Sequence, residues 1–115
     1  MVVLKKRSEF LAVAAVRERW VTPAFILQKA PRPDLDKQEL CGFGLTASKK
    51  MIGNAVARNR ARRRLRALVR EILPMLPVSG LNFVLIARKD VLTRDYAALR
   101  KDFLWAMKRL DVKTV

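Results

Sequence analysis

The centre of the chain reads Ser48-Lys49-Lys50-Met51-Ile52-Gly53-Asn54-Ala55-Val56-Ala57-Arg58-Asn59-Arg60-Ala61-Arg62-Arg63-Arg64-Leu65-Arg66. From Lys49 to Arg70 there are nine Lys or Arg residues and no acidic residue, while small and apolar residues recur between the charges at helical spacing. This combination predicts a folded surface with fixed positive charge, for which a polyanion is the expected partner.

A long amphipathic helix is predicted to begin at Asn54, after Gly53, and to end before Pro74. Its core face consists of Ala57, Ala61, Leu65, Leu68 and Ile72. On a wheel of about 100° per residue, one group of residues lies opposite this face and is called the arginine ridge below. It consists of Asn59, Arg62, Arg63, Arg66 and Arg70; Arg60 widens it, and Arg58 and Arg64 flank the core face.

The ridge suits phosphate binding because the planar guanidinium group can hold a phosphate through two hydrogen bonds. Such binding should weaken steeply with salt, since each neutralised phosphate releases counterions. The alternative of a merely solvated charged face is weakened because only Glu71 lies near enough in sequence to pair with the ridge. A membrane-surface helix fits less well, since the apolar face is rich in alanine and lacks aromatic residues.

Composition is consistent with one folded domain spanning residues 1–115. The 115 residues are 51% apolar, and 25 basic against 10 acidic residues give a net charge of +15. Nucleic acid is the leading partner for such a charge, and an anionic membrane surface is second. No run approaches the roughly 20 apolar residues of a membrane span, and no clean signal-peptide core follows the N-terminus. We therefore expect a cytoplasmic protein with no membrane partner.

The residue types argue against chemistry carried by the protein itself. The chain has no histidine, and Cys41 is its only cysteine, which removes imidazole catalysis, thiolate zinc sites and intrachain disulfides. The pair Asp34 and Asp36 lies in a proline-bearing loop without further oxygen ligands. We expect no catalytic residue, no metal site, no cofactor held by the protein alone and no small-molecule substrate.

The remaining pattern predicts an α+β domain with helices packed against a small sheet. A first helix is predicted from an N-cap at Ser8 to about Arg17, and a last helix follows a cap at Thr93. Three clear strands are predicted at Ala24 to Lys29, Leu40 to Ala47 and Asn82 to Ala87. In the second of these, Gly42, Gly44 and Thr46 share a nearly flat face. Trp20 and Trp105 have no assigned place.

The sequence resembles the protein subunit of bacterial ribonuclease P. The resemblance is carried by Ser48-Lys49-Lys50, Gly53-Asn54-Ala55-Val56, Arg58-Asn59-Arg60-Ala61-Arg62-Arg63 and Arg66, with Leu4-Lys5-Lys6, Glu9-Phe10, Val13, Gly44-Leu45 and Ile86-Ala87-Arg88 in matching order. It implies a two-layer α/β sandwich of the ribosomal protein S5 domain 2 type. The implied order is helix-strand-strand-strand-helix-strand-helix, with a left-handed crossover through the arginine helix. A further strand would either come from splitting the region Ala24 to Ala47 or recruit Trp20 and Val21.

The resemblance also implies a function. The chain would be the non-catalytic protein subunit of an endoribonuclease that removes the 5′ leader of precursor tRNA. Its partners would be precursor tRNA and a large catalytic RNA, and magnesium bound to that RNA would support the hydrolysis.

Two binding surfaces are implied. The catalytic RNA would contact Lys49, Lys50, Asn54, Arg58, Asn59, Arg60, Arg62, Arg63, Arg66 and Arg70. A cleft between the first helix and the sheet would hold the single-stranded leader through Phe10, Val13, Ala14, Arg17, Ile26 and Gln28. Family members often carry an aromatic residue at the positions of Ala14 and Gln28, so base stacking here would rest on Phe10. Met51 lengthens the turn after Lys50 relative to many members.

Two other functions remain as alternatives. A ribosomal or other RNA-packaging protein would share the charge and size but would need no leader cleft. A helix-turn-helix DNA-binding protein fits less well, because the basic helix is about 20 residues long and follows strands.

Overall fold

The computed structural model describes residues 2–32 and 41–112 of the chain. The strands are β1 (Val2–Val3), β2 (Glu18–Val21), β3 (Phe25–Pro31), β4 (Gly42–Thr46) and β5 (Leu81–Ala87). The helices are α1 (Arg7–Val16), the short α2 (Lys49–Ile52), α3 (Ala55–Ile72) and α4 (Tyr96–Arg109), with 3-10 turns at Leu73–Met75 and Lys89–Leu92. None of these helices is long and apolar enough to cross a membrane.

The strands form one sheet in the order β1-β4-β5-β3-β2. β4 pairs in parallel with both β1 and β5, whereas β3 runs antiparallel to β5 and β2. Helix α3 therefore connects two parallel neighbouring strands, β4 and β5. From α1 onward the order matches the helix-strand-strand-strand-helix-strand-helix pattern, and the predicted α+β class is confirmed. The left-handed sense of the crossover stays a prediction.

The larger core lies between the sheet and helices α3 and α4. Phe25, Leu27, Phe43, Phe83 and Leu85 project from the sheet into it. The predicted core face of α3 is confirmed: Ala61, Leu65, Leu68 and Ile72 are buried, together with Val69, and Ala57 is half-buried. Full burial of each such aliphatic side chain contributes about 1.5–3 kcal/mol, so this face fixes which side of α3 remains in solvent.

Helix α1 packs on the opposite face of the sheet through a smaller cluster of Leu4, Val13, Ala30 and Val84, joined by Phe10 and Ile86. A Cβ on Gly44 would lie only 2.5 Å from Cε1 of Phe10. The ring of Phe10 therefore packs against the flat face that was predicted for β4.

Both predicted helix caps are wrong by a few residues. α1 begins at Arg7 with Lys6 as N-cap, and the carboxylate of Glu9 accepts hydrogen bonds from the backbone N–H groups of Lys6 (2.9 Å) and Lys5 (3.2 Å). These bonds lower the pKa of Glu9, and they satisfy the free amides at the helix start in place of Ser8. At the other end, Asp95 precedes α4, because Thr93 closes the 3-10 turn before it.

The predicted strand boundaries also shift. β4 begins at Gly42 instead of Leu40, and Leu40 lies outside the described residues, as do Asp34 and Asp36. Strands β1 and β2 are additional to the three predicted from pattern, and β2 includes Trp20 and Val21 as the resemblance implied. Both are short edge strands with mostly exposed side chains, so they carry little hydrophobic alternation.

Candidate nucleic-acid interface

The start of α3 is fixed by local hydrogen bonds. Oδ1 of Asn54 accepts from the backbone N–H of Ala57 (2.9 Å), which confirms the predicted helix start. Oγ of Ser48 caps α2 by accepting from the N–H of Met51 (3.1 Å). Between the two helices, Gly53 has a φ of 115°, a conformation that side-chain-bearing residues rarely adopt. The exposed Lys49 and Lys50 on α2 thus lead into the basic helix at an angle that depends on glycine.

The arginine ridge forms an open surface on α3. Asn59, Arg63, Arg66 and Arg70 are exposed, as is Arg60 beside them. Arg62 is half-buried: its Nη1 donates to Oδ1 of Asn59 (3.3 Å) and its Nη2 to the carbonyl of Ala47 (3.4 Å). A shallow groove runs between Val56, Asn59, Arg62, Arg63 and Arg66. Val56 is 78% exposed and was not predicted as a site residue. Its position one helical turn before Asn59 would have indicated that it lies on the same side of α3 as the ridge.

The positive charge of the ridge has no carboxylate partner within the described part of the chain. Ion pairs there join Lys29 to Glu18, Arg94 to Asp102 and Arg100 to Glu71. Glu71, the one acid close in sequence, faces α4 instead, where it also accepts from the hydroxyl of Tyr96 at 2.5 Å. That hydrogen bond, together with burial as the larger effect, raises the pKa of Tyr96. The ridge therefore retains charge that an anionic ligand can neutralise.

Two arginines flanking the core face differ from the ridge. The guanidinium of Arg64 donates to the carbonyls of Leu92 (3.2 Å) and Arg94 (2.5 Å), so it holds the turn before α4. Arg58, predicted to contact RNA, is half-buried, and its Nε is buried with no hydrogen-bond acceptor among the described residues. A buried donor of this kind normally has a partner, so Arg58 differs from the exposed arginines of the ridge in being partly packed into the fold.

A second surface, called the α1 cleft below, lies between α1 and the sheet. Thr46, Ile86, Ile26 and Val21 are consecutive partners across β4, β5, β3 and β2, so their side chains form one row on the face that α1 covers in part. Phe10 belongs to the same apolar cluster as Ile86 of this row, and Ala14 lines a depression with Gln28 of β3. The row is half-buried except at Val21, which is exposed. It therefore makes an apolar floor open to solvent.

The structure places the predicted cleft residues in three settings. Ala14, Arg17 and Gln28 line one shallow depression together with Arg19. Ile26 is a half-buried residue of the floor and Phe10 is half-buried beside it, whereas Val13 is only 1% exposed and packs beneath α1. Val13 thus supports the cleft from below.

Four lining residues were not predicted from the sequence: Arg19, Val21, Thr46 and Ile86. Arg19 and Val21 belong to β2, which the sequence pattern did not predict. Without that strand, the period-2 alternation of side chains could not be used to assign either residue to a face of the sheet. For Thr46 and Ile86 the period-2 alternation of their strands was the usable signal.

Within residues 2–32 and 41–112, no three His, Cys, Asp or Glu side chains lie close enough together to hold a metal ion. Burial raises the pKa of the Cys41 thiol to about 11, which keeps it protonated and a poor nucleophile at neutral pH. What these surfaces offer is hydrogen-bond donors, positive charge and apolar contact.

Comparison with known proteins gives one consistent family. A family model described as Ribonuclease P matches residues 2–111. The ribonuclease P protein component of Paramagnetospirillum magneticum is 49% identical over 108 residues, which cover 93% of this chain and 80% of that protein. The corresponding protein of Gluconacetobacter diazotrophicus is 41% identical over 110 residues, covering 96% and 91%.

Solved structures agree at the level of the fold. The RNase P protein of Staphylococcus aureus superimposes with a TM-score of 0.78 at 18% identity, covering 98% of both chains. That of Thermotoga maritima gives 0.73 at 22% identity, covering 95% of this chain and 97% of the other. At this low identity, the shared feature is the arrangement of helices and strands.

Proposed function

The chain belongs to the ribonuclease P protein family, and we propose that it assists a catalytic RNA in removing the 5′ leader of precursor tRNA. The observation that carries this proposal is the pairing of two different surfaces. One is an arginine ridge with no carboxylate partner in the described chain, and the other is an apolar cleft that opens beside the start of the ridge.

The ridge is the surface for the catalytic RNA. Arg63 and Arg66 lie one turn apart on α3 and are exposed, with Asn59 and Arg60 beside them. Guanidinium groups in such a row bind phosphates from RNA segments that would otherwise repel one another. The exposed Lys49 and Lys50 add positive charge before the start of α3, and Arg70 adds it near the end of that helix. Arg58 and Arg62 contribute charge from half-buried positions, and Nδ2 of Asn54 is a further donor.

The α1 cleft is the surface for the single-stranded leader. Its floor ends at Thr46, and the next residue, Ala47, accepts the hydrogen bond from Arg62 of the ridge. A leader lying on the floor would therefore pass directly to the start of α3. Phe10 offers one aromatic ring for a base, and Arg17 and Arg19 offer charge to the leader phosphates.

The hydrolysis itself would belong to the RNA subunit, where magnesium would supply the charge stabilisation. The protein contributes position and electrostatics. Binding energy from the ridge and the cleft would hold the scissile phosphate in the active site of the RNA. Positive charge on the ridge would also lower the repulsion between closely packed phosphates and thereby reduce the magnesium concentration that the complex needs.

Reconstituted cleavage tests this proposal. Precursor tRNA is incubated with the cognate catalytic RNA at low magnesium, with and without the protein, and the release of the 5′ leader is followed. We expect a large increase in cleavage rate with the protein and a smaller one at high magnesium. Equal rates with and without the protein at low magnesium would refute the proposal.

A matched pair of substrates separates this function from RNA packaging. Precursor tRNAs with a leader of several nucleotides and with none should differ in affinity for the complex only when the protein is present. A packaging protein would bind both equally. Titration against duplex DNA at the same salt addresses the DNA-binding alternative, for which duplex DNA would bind more tightly than structured RNA.

A further inference from the structure

The only two tryptophans of the chain meet at one place on the surface. Trp20 lies on the edge strand β2 and Trp105 on α4, and the guanidinium of Arg109 lies over both rings, 4.8 Å and 5.8 Å from their centroids. Nζ of Lys108 is 5.9 Å from the Trp105 ring. Trp105 is nevertheless 52% exposed. Stacked cations therefore hold the two indoles in place while one of them remains available to a ligand.

The charge around these tryptophans is positive. Lys101, Trp105 and Arg109 follow at four-residue spacing on α4, so they share one face of that helix. Of the carboxylates close to the tryptophans, Asp102 accepts from Arg94 at 2.6 Å and Glu18 pairs with Lys29 at 3.9 Å. Asp111, two residues after Arg109, is exposed and is the one acid that offsets part of this positive charge among the described residues. In the described chain, neither Lys101, Lys108 nor Arg109 forms an ion pair.

This location is separate from both surfaces described above. α3 packs over β4 and β5, whereas Trp20 belongs to β2 at the far edge of the sheet. The α1 cleft lies on the other face, because Arg19 and Val21 alternate with Trp20 along β2. An RNA bound to the ridge would have to extend beyond α3 to α4 and β2 to reach the tryptophans.

We propose that Trp20, Trp105 and Arg109, with Lys101 and Lys108, form a third RNA contact, called the tryptophan patch, which binds an unpaired nucleotide. A base would stack on the exposed indole of Trp105, and its phosphate would bind Lys108 and the edge of Arg109 that faces away from the rings. Aromatic rings interleaved with cations are the usual platform for unpaired nucleotides. The inference rests on the proposed function in so far as the RNA is that of the ribonuclease P complex.

An RNA ligand is favoured over a protein ligand by charge and chemistry. A patch with three unpaired cations would repel most of this highly basic chain, which argues against a second copy. The stacked guanidinium keeps its in-plane N–H groups available, and these suit phosphate oxygens. An acidic protein is the remaining alternative, and the experiment distinguishes it.

Tryptophan fluorescence tests the patch directly, because both reporters lie within it. Trp20→Phe leaves Trp105 as the sole emitter, and this variant is titrated with the cognate catalytic RNA and then with precursor tRNA. We expect strong quenching of Trp105 at saturation and protection from acrylamide. Unchanged emission and unchanged acrylamide quenching at saturation would overturn the proposal and leave an acidic protein as the candidate ligand.

Affinity measurements give an independent readout. Trp105→Ala should weaken binding of the RNA partner by about 5-fold or more, as expected for loss of one stacked base, while Trp105→Phe should retain most of the affinity. Met75→Ala, which removes a 72% exposed apolar side chain outside the patch, is the matched control and should leave the affinity unchanged. Equal affinities for wild type and Trp105→Ala would contradict the proposal.

The two hypotheses fail in different ways. If the protein stimulates cleavage and Trp105 is unaffected by either RNA, the patch is wrong and the proposed function stands. If the protein gives no stimulation at low magnesium, the proposed function is wrong, whatever the fluorescence of Trp105.

Discussion

The outer face of α3 and the α1 cleft contrast in how they are built. The ridge belongs to a single helix, and its side chains are charged, exposed and mostly free of partners in the described chain. The cleft is assembled from α1 and four strands, and its floor is apolar with a single aromatic ring beside it. The first surface suits strong, sequence-independent binding of RNA phosphates, and the second suits weak placement of a single strand.

This difference shows how affinity and position can be separated within one small domain. Phosphate binding by Arg63 and Arg66 needs charge but little precision, so an exposed helix face is sufficient. Under the proposed function, placement of a leader base would need a ring in a fixed position, and the ring of Phe10 packs against Gly44. Each of the following predictions removes or alters one side of this contrast.

The largest effect is expected from removing charge at the exposed centre of the ridge. Arg63→Ala with Arg66→Ala should weaken binding to the catalytic RNA by about 10- to 100-fold at physiological salt and lower the salt-dependence slope by about 2. Filter binding over a range of salt concentrations measures both quantities. The control Arg7→Ala with Lys89→Ala removes two exposed positive charges that lie outside the ridge and form no ion pair in the described chain, and it should have a much smaller effect. A ridge variant that matches this control would show that net charge alone matters.

The next effect is expected at the aromatic ring of the cleft. Phe10→Ala should reduce the affinity gain that a leader provides by about 5- to 150-fold, since one stacked base is worth roughly 1–3 kcal/mol. The measurement is the ratio of the affinities for precursor tRNAs with and without a leader. An affinity loss that affects both tRNAs equally does not change this ratio.

A second variant perturbs the same ring from below. Gly44→Ala would place a methyl group in the position of the Phe10 ring and should reduce the ratio in the same direction. If both variants leave the ratio unchanged, Phe10 packs as a core residue and does not bind the leader.

A structural effect is expected at Arg64, which lies in the same helix as the ridge but donates to the carbonyls of Leu92 and Arg94. Arg64→Gln should lower the free energy of unfolding by about 1–2 kcal/mol through the lost hydrogen bonds. Arg63→Gln, one residue earlier, should leave stability nearly unchanged. Urea denaturation of the two variants measures this difference, and equal stabilities would show that the Arg64 hydrogen bonds contribute nothing.

The smallest effect is a gain at Gln28, which lines the depression with Ala14, Arg17 and Arg19. Gln28→Tyr should add a second ring to the cleft and tighten binding of precursor tRNA by about 5-fold, with no change for the leaderless tRNA. Gln28→Leu adds apolar area without a ring and serves as the control. Equal gains from tyrosine and leucine would point to burial of apolar surface instead of stacking.

The sequence predicted the ridge better than the cleft for a physical reason. Residues on one helix have angles fixed by the 3.6-residue repeat, so Ala61 and Leu65 identified the buried side and Arg63 the exposed side. The cleft depends on strand pairing over long sequence separations, which no local pattern gives. The row from Thr46 through Ile86 and Ile26 to Val21 became visible only with the sheet order.

Side-chain hydrogen bonds between distant parts of the fold could not be predicted from the sequence either. Arg62, Arg63 and Arg64 are adjacent and chemically identical, yet their environments differ. Arg62 donates to the carbonyl of Ala47, Arg63 is exposed, and Arg64 donates to the turn before α4. The tryptophans could not be placed from the sequence, since β2 itself was not recognised from pattern and the contact between Trp20 and Arg109 joins residues far apart in the chain.

The most direct test of separate roles for the ridge and the α1 cleft compares four proteins in the reconstituted complex. Wild type, Arg63→Ala with Arg66→Ala, Phe10→Ala and the triple variant are each assayed for catalytic-RNA affinity and for the leader-to-leaderless affinity ratio. The ridge change should weaken catalytic-RNA binding and keep the ratio, while the cleft change should lower the ratio and keep the affinity, with additive free energies in the triple variant. Loss of both properties in each single-surface variant would contradict two separate binding surfaces.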